Sequence, residues 1–320
     1  MISVVIPAYD EAAVLEDALR AVFSQRYQGE YEVLVVDDGS DDSTREVAGR
    51  HPVRLIAQDH RGPAAARNRG AREARGDILL FTDADCVPEP DWMEEMVRPI
   101  QEGVVGVQGR YRTRQKGLVP RFVQLEIEGR YELMAMSPSI DFIGSYSAAY
   151  LKEIFLKEGG FDETYPTASG EDPDLSYRLA TKGYRMVFNP RAVVYHRHPE
   201  SLSQYLRQKF YRAYWRVPLY RKNRPKVLKD SYTPQTLKLQ LLLLYLLPIA
   251  LGYALLRGPL PLVALITSLF LTLLPTAWWN FCRDRAVGIA SVPLLLLRDM
   301  AFALGLLWGA WRLLVAGGRA

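Results

Sequence analysis

The sequence predicts an α/β domain with a mainly parallel β-sheet and helices on both of its faces, followed by membrane-embedded helices. As far as about residue 199, short β-branched apolar segments alternate with segments of helical periodicity. Such alternation favours a parallel sheet that helices cover on both faces. Beyond Leu237, Leu, Ala, Pro and Trp dominate, and two apolar runs are long enough to cross a bilayer. We therefore divide the chain into a soluble domain (1–199), a basic amphipathic helix with a linker (200–232) and membrane-embedded helices (233–320).

The first half of the soluble domain contains four strand patterns. ISVVIPAY and YEVLVVDDGS are each followed by a helix pattern, EAAVLEDALRAVFSQ and DDSTREVAGR. The third strand pattern, VRLIAQ, precedes the helix pattern GPAAARNRGAREARG, in which Pro63 suits the first helical turn. The fourth is DILLFTDADC. Because the N-terminus enters the first strand pattern without a basic region, we expect no signal peptide.

Composition limits the class of protein. The chain has 320 residues, 49% of them hydrophobic, which is enough for a large core. Its only cysteines, Cys86 and Cys282, imply no disulfide framework and suit a reducing cytosol. The net charge is only +4, but the segment 207–229 contains no acidic residue. This segment should favour an anionic surface.

Three polar clusters follow predicted strand ends, at residues 7–9, 37–40 and 83–85. In parallel sheets, ligands bind outside the carboxyl ends of the strands. The dinucleotide and Walker glycine motifs are absent, so phosphates would be held in another way. Asp83 and Asp85 can hold Mg²⁺ or Mn²⁺, which in turn neutralises a pyrophosphate. The alternative is that these acids only cap backbone turns.

A set of short motifs in fixed order gives the clusters a context. In order they are VVIPAYDE, VVDDGSDDST, ARNRG, FTDADC, GGFDE, GEDPDLSYRL and VYH. Over roughly residues 1–200 the chain resembles the family 2 glycosyltransferases with the GT-A fold, a Rossmann-like sheet. The resemblance implies a metal-dependent hexosyltransferase whose donor is a UDP- or GDP-sugar.

The resemblance also assigns donor-binding residues. They are Pro7, Ala8, Tyr9 and Glu11 in the first nucleotide-contacting loop, Asp38 at the nucleotide base, Arg67 near that nucleotide base or the phosphates, and Asp83. Asp37 is the second choice at the base, since it can instead cap the turn. For Arg67 the alternative is a solvated arginine on a helix.

The same resemblance implies a metal site and a catalytic base. Asp83 and Asp85 form the DxD-type element, with Asp85 as the direct ligand. His196 is a further metal ligand, with His198 as its rival, although a lone histidine can also be structural. Asp172 matches the catalytic base.

The alternatives for this last segment stay open. Glu171 is the reserve candidate for the base, and capping of the following helix by Asp172 or Asp174 is the structural alternative. Gly144, Ser145 and Asp162 would shape the site. The resemblance, with one base and no separate nucleophile, implies inversion at the anomeric carbon, so that an α-linked donor gives a β-linked product.

The segment after the soluble domain predicts an amphipathic helix. Apolar residues recur at three-and-four spacing from Leu202 to Val217, and Gln208, Arg212 and Arg216 form a row on another face. An interfacial helix and a helix packed on the soluble domain both fit. Processive family members carry a Gln-x-x-Arg-Trp motif in a comparable place, but here the order is Gln208-Lys-Phe-Tyr-Arg212-Ala-Tyr-Trp215. This difference argues against polymer synthesis.

The apolar runs 237–256 and 261–279 predict a membrane hairpin. Arg283 and Arg285 would return its end to the cytosolic side. In 286–316, Arg298 and Asp299 interrupt the apolar pattern, and as sequence neighbours we expect them not to face each other. The segment would be either a short interfacial helix with a partial span, or one broken segment with both charges facing protein.

These observations predict an integral multi-pass enzyme of the cell membrane with a cytosolic catalytic domain. It would move one sugar, with inversion, to a polyprenyl-linked acceptor, and membrane lipids would be further partners. The rival enzyme is a polyprenyl-phosphate sugar synthase, and the rival from another class is a nucleotide-sensing membrane transport component. A nucleic-acid partner is not expected, because the neighbouring apolar runs favour lipid beside the basic segment. Nothing in the sequence specifies an oligomeric state.

Overall fold

The structure, a computed structural model, describes residues 1–165, 170–227 and 230–315. They form two compact units. The first contains Met1–Arg114, Tyr131–Arg197 and Asp230–Tyr232, and the described residues of the second lie in 115–130, 198–227 and 233–315. Residues 115–130 therefore pack in the second unit although the chain on both sides of them belongs to the first. Residues 230–232 pack in the first unit although the described chain on both sides of them belongs to the second.

The first unit is built on an eight-stranded mixed sheet in the order β3-β2-β1-β4-β7-β6-β8-β5. Its strands are β1 (Ile2–Ala8), β2 (Tyr31–Asp37), β3 (Arg54–Ala57), β4 (Ile78–Thr82), β5 (Val87–Pro88), β6 (Gly106–Arg112), β7 (Ser147–Leu151) and β8 (Met186–Tyr195). The four strands predicted from the sequence are parallel neighbours, β3-β2-β1-β4. Next to them, β7 runs antiparallel to both β4 and β6, while β6 and β8 are parallel. The predicted fold class, a mainly parallel sheet with helices, is confirmed.

Helices connect and cover these strands. They are α1 (Leu15–Phe23), α2 (Thr44–Ala48), α3 (Pro63–Glu73), α4 (Trp92–Gln101), α5 (Leu118–Ala135), α6 (Lys152–Lys157) and α7 (Glu171–Thr181). β1 is an almost continuous buried apolar run, as expected of a central parallel strand. Leu15, Leu19 and Val22 of α1 are fully buried and belong to the same core as β1 and β2. The residues that gave α1 its predicted helical periodicity thus form the face that packs on the sheet.

The second unit is helical and contains the first part of α5. Its other helices are α8 (Leu202–Lys222), a 3₁₀ turn (Arg224–Val227), α9 (Gln235–Arg257), α10 (Leu260–Arg283) and α11 (Arg285–Val315). The last three are long and apolar enough to cross a membrane, with mean hydropathies of 2.1, 2.0 and 1.7. The predicted hairpin is present as α9 and α10, and the segment after it forms one continuous helix, α11.

A buried ion cluster joins three helices of the second unit. Glu126 of α5 accepts hydrogen bonds from Lys209 Nζ of α8 at 2.7 Å and from Arg130 at 2.7 Å. Arg298 of α11 lies 3.8 Å from the same carboxylate and also binds Asp299 at 2.7–2.8 Å. The expectation that Arg298 and Asp299 do not face each other is therefore wrong, because the long arginine side chain folds back onto its neighbour. Both charges face protein, as in one of the two sequence-based alternatives, but the broken segment of that alternative is wrong, since α11 is one continuous helix.

Two glycines of α11 allow close packing against α8. A Cβ atom on Gly305 would lie 2.2 Å from the carbonyl oxygen of Phe210, and one on Gly309 would lie 2.7 Å from that of Tyr214. The spacing is Gly-x-x-x-Gly, which brings helix backbones together in apolar surroundings.

We expect Gly305→Leu to destabilise the second unit, because its side chain has no space against α8. Overpacking typically costs about 1–3 kcal/mol. The matched control is Gly252→Leu in α9, where a Cβ atom meets nothing within 4 Å. Thermal unfolding of the purified protein in detergent measures both variants, and equal midpoints would contradict the close packing.

Candidate active site

The first loop of the candidate site follows β1 and is tied to the loop after β2. β1 and β2 pair up to Ala8 and Asp37, so both loops leave the sheet at one edge. The backbone N–H of Glu11 donates to Thr44 Oγ1 at 2.8 Å, and that of Asp10 donates to Ser40 Oγ at 3.0 Å. These bonds hold residues 10–14 outside the helix, so α1 begins only at Leu15.

The predicted nucleotide-contacting residues have different environments. Pro7 and Ala8 end β1, and Ala8 is buried, whereas Tyr9 is exposed. The Tyr9 ring lies 4.2 Å from that of His60. Burial, followed by the charges of Asp85 and Asp83, raises the pKa of Glu11 to about 7. The Glu11 carboxylate therefore lies near the two predicted metal ligands.

Asp38, predicted at the base, holds the loop before α3. Its carboxylate accepts hydrogen bonds from Gln58 Nε2 at 2.7 Å and from the N–H groups of Arg61 and Gly62 at 2.9 and 2.8 Å. His60 Nδ1 lies 3.1 Å from it. The second choice, Asp37, caps its turn by accepting from the N–H of Ser40 at 3.3 Å. A carboxylate accepts about four hydrogen bonds. A nucleotide base that binds Asp38 would therefore have to share or displace one of these donors.

The two acids after β4 and the histidine after β8 form the candidate metal centre. His196 Nε2 lies 3.1 Å from Asp85 Oδ2. The imidazole stacks on Tyr111 at 4.6 Å, and Tyr111 stacks on Tyr146 at 3.4 Å, so aromatic rings fix its orientation. Burial acts to raise the pKa of Asp85, but the hydrogen bond and charge of His196 outweigh it and hold this pKa below its usual value.

The donor set fits a hard divalent cation. Asp83, Asp85 and the adjacent Cys86 place ligand atoms within 4.8 Å of one another. Burial and the charge of Asp85 raise the pKa of the Cys86 thiol well above its usual value, so the thiol stays neutral and the carboxylates are the ligands that suit Mg²⁺ or Mn²⁺. Burial is the largest cause of the raised pKa of Glu11, and the next is the negative charge of Asp85 and Asp83, which a cation would offset.

Arg67 binds carboxylates at the centre of the site. It is buried, with one nitrogen 2.7 Å from Asp83 Oδ1 and another 3.3 Å from Glu171 Oε1. Burial acts to lower its pKa, but the charges of Asp83, Asp172 and Glu171 outweigh it and raise the pKa above its usual value. The solvated helix arginine considered as an alternative is thereby excluded. Arg67 instead joins the acid after β4 to the acids at the start of α7.

Asp172 has one occupied and one unoccupied carboxylate oxygen. Its Oδ2 accepts from the backbone N–H of Ser145 at 3.0 Å and from the Ser145 hydroxyl at 3.3 Å. Its Oδ1 is buried and accepts no hydrogen bond from the described residues. Burial, followed by the charge of Glu171, raises the pKa of Asp172 to about 7. These are the properties of a carboxylate that can take a proton near neutral pH.

The neighbouring acids are occupied by other partners. Glu171 is 1% exposed and accepts from Arg67 and from the N–H of Gly170 at 3.0 Å. Asp174 pairs with Arg178 at 3.0 Å within α7. The N-cap residue of α7 is Gly170, so neither Asp172 nor Asp174 caps this helix, and Asp172 binds Ser145 instead.

Contacts thus connect most of the predicted catalytic and metal-binding residues. His196 contacts Asp85, whose ligand atom lies within 4.8 Å of that of Asp83, and Arg67 contacts both Asp83 and Glu171. His198 lies in the second unit, where its Nε2 is 2.9 Å from Gln124. Asp162 accepts from the N–H of Thr164 at 2.9 Å in its own turn.

Two contacts of this site were not predicted from the sequence. Ser145 was expected only to shape the site, yet it donates two hydrogen bonds to Asp172. Tyr111, which supports His196, lies in a segment with no predicted function. The position of Ser145 in the motif GSYSAAY was the available signal, while Tyr111 had none.

Comparison with known proteins supplies the family. The sequence profile described as "Glycosyl transferase family 2" matches residues 3–159, which include Asp38, Arg67, Asp83 and Asp85. The acid pair at the start of α7 and His196 lie outside the matched residues.

Two curated relatives are similar over more than half of the chain. Glycosyltransferase AglE of Haloferax volcanii is 32% identical over 201 residues, which cover 58% of this chain and 64% of the relative. Pre-mycofactocin glycosyltransferase of Mycobacterium tuberculosis is 29% identical over 240 residues, covering 68% of this chain and 47% of the relative. The chain therefore spans less than two thirds of the length of either relative.

A solved structure shows the same fold. The mannosyltransferase PcManGT from Pyrobaculum calidifontis, in complex with GDP-Man and Mn²⁺, superposes with a TM-score of 0.62 at 23% identity, covering 97% of this chain and 87% of that one. This likeness agrees with the mixed sheet of the first unit, and the matched residues of the profile include the acids after β4. The chain contains a family 2 glycosyltransferase domain of the GT-A fold, followed by three long apolar helices.

Proposed function

We propose that the protein transfers a single hexose from a nucleotide diphosphate sugar to a polyprenyl-linked acceptor at the cytosolic face of the cell membrane, with inversion. The observation that carries this proposal is the carboxylate of Asp172. One of its oxygens is fixed by Ser145, and the other is buried without a hydrogen bond from the described residues. Its neighbour Glu171 binds Arg67, which also binds Asp83 after β4.

Asp172 is the proposed base. Asp172 Oδ1 accepts the proton of the acceptor hydroxyl. At the same time the hydroxyl oxygen forms its bond with the anomeric carbon, and the bond from that carbon to the nucleoside diphosphate breaks. Its raised pKa suits a base near neutral pH. Among the acids at the start of α7, Glu171 and Asp174 are engaged by arginines. Direct displacement with one base inverts the anomeric carbon.

The donor side uses the acids at the carboxyl edge of the sheet. Asp85, Asp83 and His196 are the residues that would hold Mn²⁺ or Mg²⁺. When bound, the cation neutralises the diphosphate of the leaving group. Pro7, Ala8, Tyr9, Glu11 and Asp38 line the loops proposed for the nucleoside, which we take to be uridine or guanosine. Arg67 keeps Asp83 oriented, and its cationic charge limits repulsion between the carboxylates and the phosphates.

The acceptor proposal rests on the C-terminal region. The three apolar helices support membrane association, and Arg207, Arg221, Lys222 and Arg224 are exposed on α8 and the following turn, where they suit anionic lipid headgroups. Arg283 and Arg285 at the junction of α10 and α11 support a cytosolic orientation of that end. The displaced Trp215 favours transfer of one sugar over processive synthesis.

A transfer assay tests the proposed function. Purified protein in detergent is incubated with radiolabelled UDP- and GDP-hexoses, Mn²⁺, and polyprenyl phosphate or a polyprenyl-pyrophosphate sugar. We expect label in the lipid phase with one donor and the sugar-bearing acceptor, and a β-linkage when an α-linked donor is used. Label on polyprenyl phosphate alone would identify a polyprenyl-phosphate sugar synthase, and no lipid label in either acceptor series would contradict the proposal.

The pH dependence of transfer should have an acid limb near pH 7. Asp172 must be deprotonated to act as a base, and its pKa is raised to about 7, so the rate should rise with pH through that value. The measurement is the rate at saturating donor, Mn²⁺ and acceptor between pH 5.5 and 8.5, an interval of about 1.5 units on either side of that pKa. Donor binding over the same interval is the control. A rate that stays constant down to pH 5.5 would contradict the assignment.

A further inference from the structure

Three residues that precede α9, the first of the apolar helices, pack in the first unit. They are Asp230–Tyr232, whereas Thr233 and the following residues belong to the other unit. Ser231 and Asp141 form three hydrogen bonds. Asp141 Oδ1 accepts from the Ser231 N–H at 2.7 Å and from its hydroxyl at 2.6 Å, and the hydroxyl accepts from the Asp141 N–H at 3.0 Å.

The next residue of each segment extends this contact. Phe142 and Tyr232 stack with their ring centroids 3.8 Å apart and their planes 14° from parallel. Ring pairs of this kind contribute about 0.5–1.5 kcal/mol beyond the area that they bury. The segment 230–232 is therefore held at two consecutive positions, 90 residues away in sequence from its partner.

The partner segment leads directly to Asp172. Ile143 is fully buried and donates its N–H to Ser176 Oγ at 2.9 Å, and Gly144 donates to the amide oxygen of Gln108. Ser145 then donates twice to Asp172 Oδ2, at 3.0 and 3.3 Å. Each residue from 141 to 145 thus has a defined partner. One end of this segment binds the linker, by which we mean residues 230–232, and the other end binds the proposed base, Asp172.

We infer that Ser231 and Tyr232 are positioning residues for the transfer reaction, which hold the segment 141–145 so that Ser145 aims Asp172 at the acceptor hydroxyl. This inference rests on the proposed role of Asp172. Without the linker, Asp141 and Phe142 lose the contacts described for them, and the chain before Ser145 gains freedom. A displacement of about 1 Å in a catalytic group can lower a rate by about 100-fold.

Loss of the linker should also raise the pKa of Asp172. The backbone hydrogen bond from Ser145 lowers the pKa of Asp172, opposing the effects of burial and Glu171. Arg67 also lowers this pKa, and Asp83 raises it. If the Ser145 bond lengthens, the pKa of Asp172 rises, and the acid limb of the rate profile moves to higher pH.

The test compares Ser231→Ala with Ser231→Thr and with the control Ser268→Ala. Thr keeps the hydroxyl group, and Ser268 is an exposed serine of α10 whose hydroxyl donates to Ala264 O of the same helix at 2.8 Å. For Ser231→Ala we expect kcat to fall about tenfold, with an unchanged Kd for the donor, an unchanged midpoint of thermal unfolding and an acid limb at higher pH. Ser231→Thr should restore kcat and the limb, and Ser268→Ala should match the wild type.

Two outcomes overturn the inference. One is a Ser231→Ala enzyme with wild-type kcat and pH profile while Asp172→Asn is inactive, since the base would then be aligned without the linker. The other is a parallel loss of kcat, donor affinity and thermal stability, which would make Ser231 a general structural residue. Tyr232→Leu, which removes the stacked ring, serves as the second variant, and its results are judged by the same criteria. Activity in Asp172→Asn would instead refute the base and leave the effect of the linker on kcat measurable.

Discussion

Replacement of Asp172 by Asn should abolish sugar transfer and leave donor binding intact. Asn has nearly the same shape, and its side-chain oxygen can still accept the hydrogen bonds from Ser145, but it cannot take a proton from the acceptor. Loss of a general base typically lowers a rate by about 10²–10⁴-fold. The measurement is transfer to the lipid phase at saturating substrates, together with calorimetric titration of the donor in the presence of Mn²⁺.

The matched control for this variant is Asp174→Asn. Asp174 lies on the same helix and pairs with Arg178, so its carboxylate is not available as a base. We expect the control to transfer sugar within a few-fold of the wild-type rate, because the side-chain oxygen of Asn can still accept the hydrogen bond that Arg178 donates to Asp174. Transfer by Asp172→Asn at the rate of the control would refute Asp172 as the base and direct attention to Glu171.

Replacement of Asp85 by Ala should remove metal-dependent donor binding. Asp85 contacts His196 and lies one residue from Cys86 in the acid cluster, so its loss takes away the central carboxylate of the proposed metal centre. Even the loss of an outer-sphere partner typically lowers metal affinity by about 10–100-fold, and we expect at least that for Asp85. Titration of the protein with Mn²⁺, followed by titration with the donor, separates the two binding steps.

Asp91→Ala is the control for the metal experiment. Asp91 is an exposed acid that pairs with Arg26 at 3.3 Å, so this variant removes the same side chain from the surface. It should bind Mn²⁺ and donor as the wild type does. If Asp85→Ala also kept wild-type Mn²⁺ affinity, the acids after β4 would be structural.

The first half of the sheet and its polar edge follow from local sequence signals. Apolar strand runs, helical periodicity and turn residues all act over a few positions, so β1 to β4 and the helices between them were predictable. The parallel order then brings the strand ends together, which placed Asp38 and Asp83 at one edge. The antiparallel β7 was not predictable in this way, because no local sequence signal indicated a strand at Ser147–Leu151 or the direction of its pairing with β4.

The partners of charged residues were less predictable than the elements that carry them. Arg67 was expected near the nucleotide, yet in the structure it binds Asp83 and Glu171, 16 and 104 residues away. Lys209 lies between Tyr205 and Ala213 on the buried face of α8, and Glu126 from another helix compensates its charge. A periodicity of apolar residues contains no information about such ion pairs, which depend on the fold.

The most direct test of the central claim is donor binding to the purified wild-type protein in detergent. A panel of UDP- and GDP-hexoses is titrated in the presence of Mn²⁺ and again with a chelator. The account predicts that one nucleotide is selected and that the chelator removes its binding, because Asp83, Asp85 and His196 hold the cation that neutralises the diphosphate. Absence of binding across the panel, or equal binding with the chelator, would contradict the account and leave the acids at the edge of the sheet with a structural role.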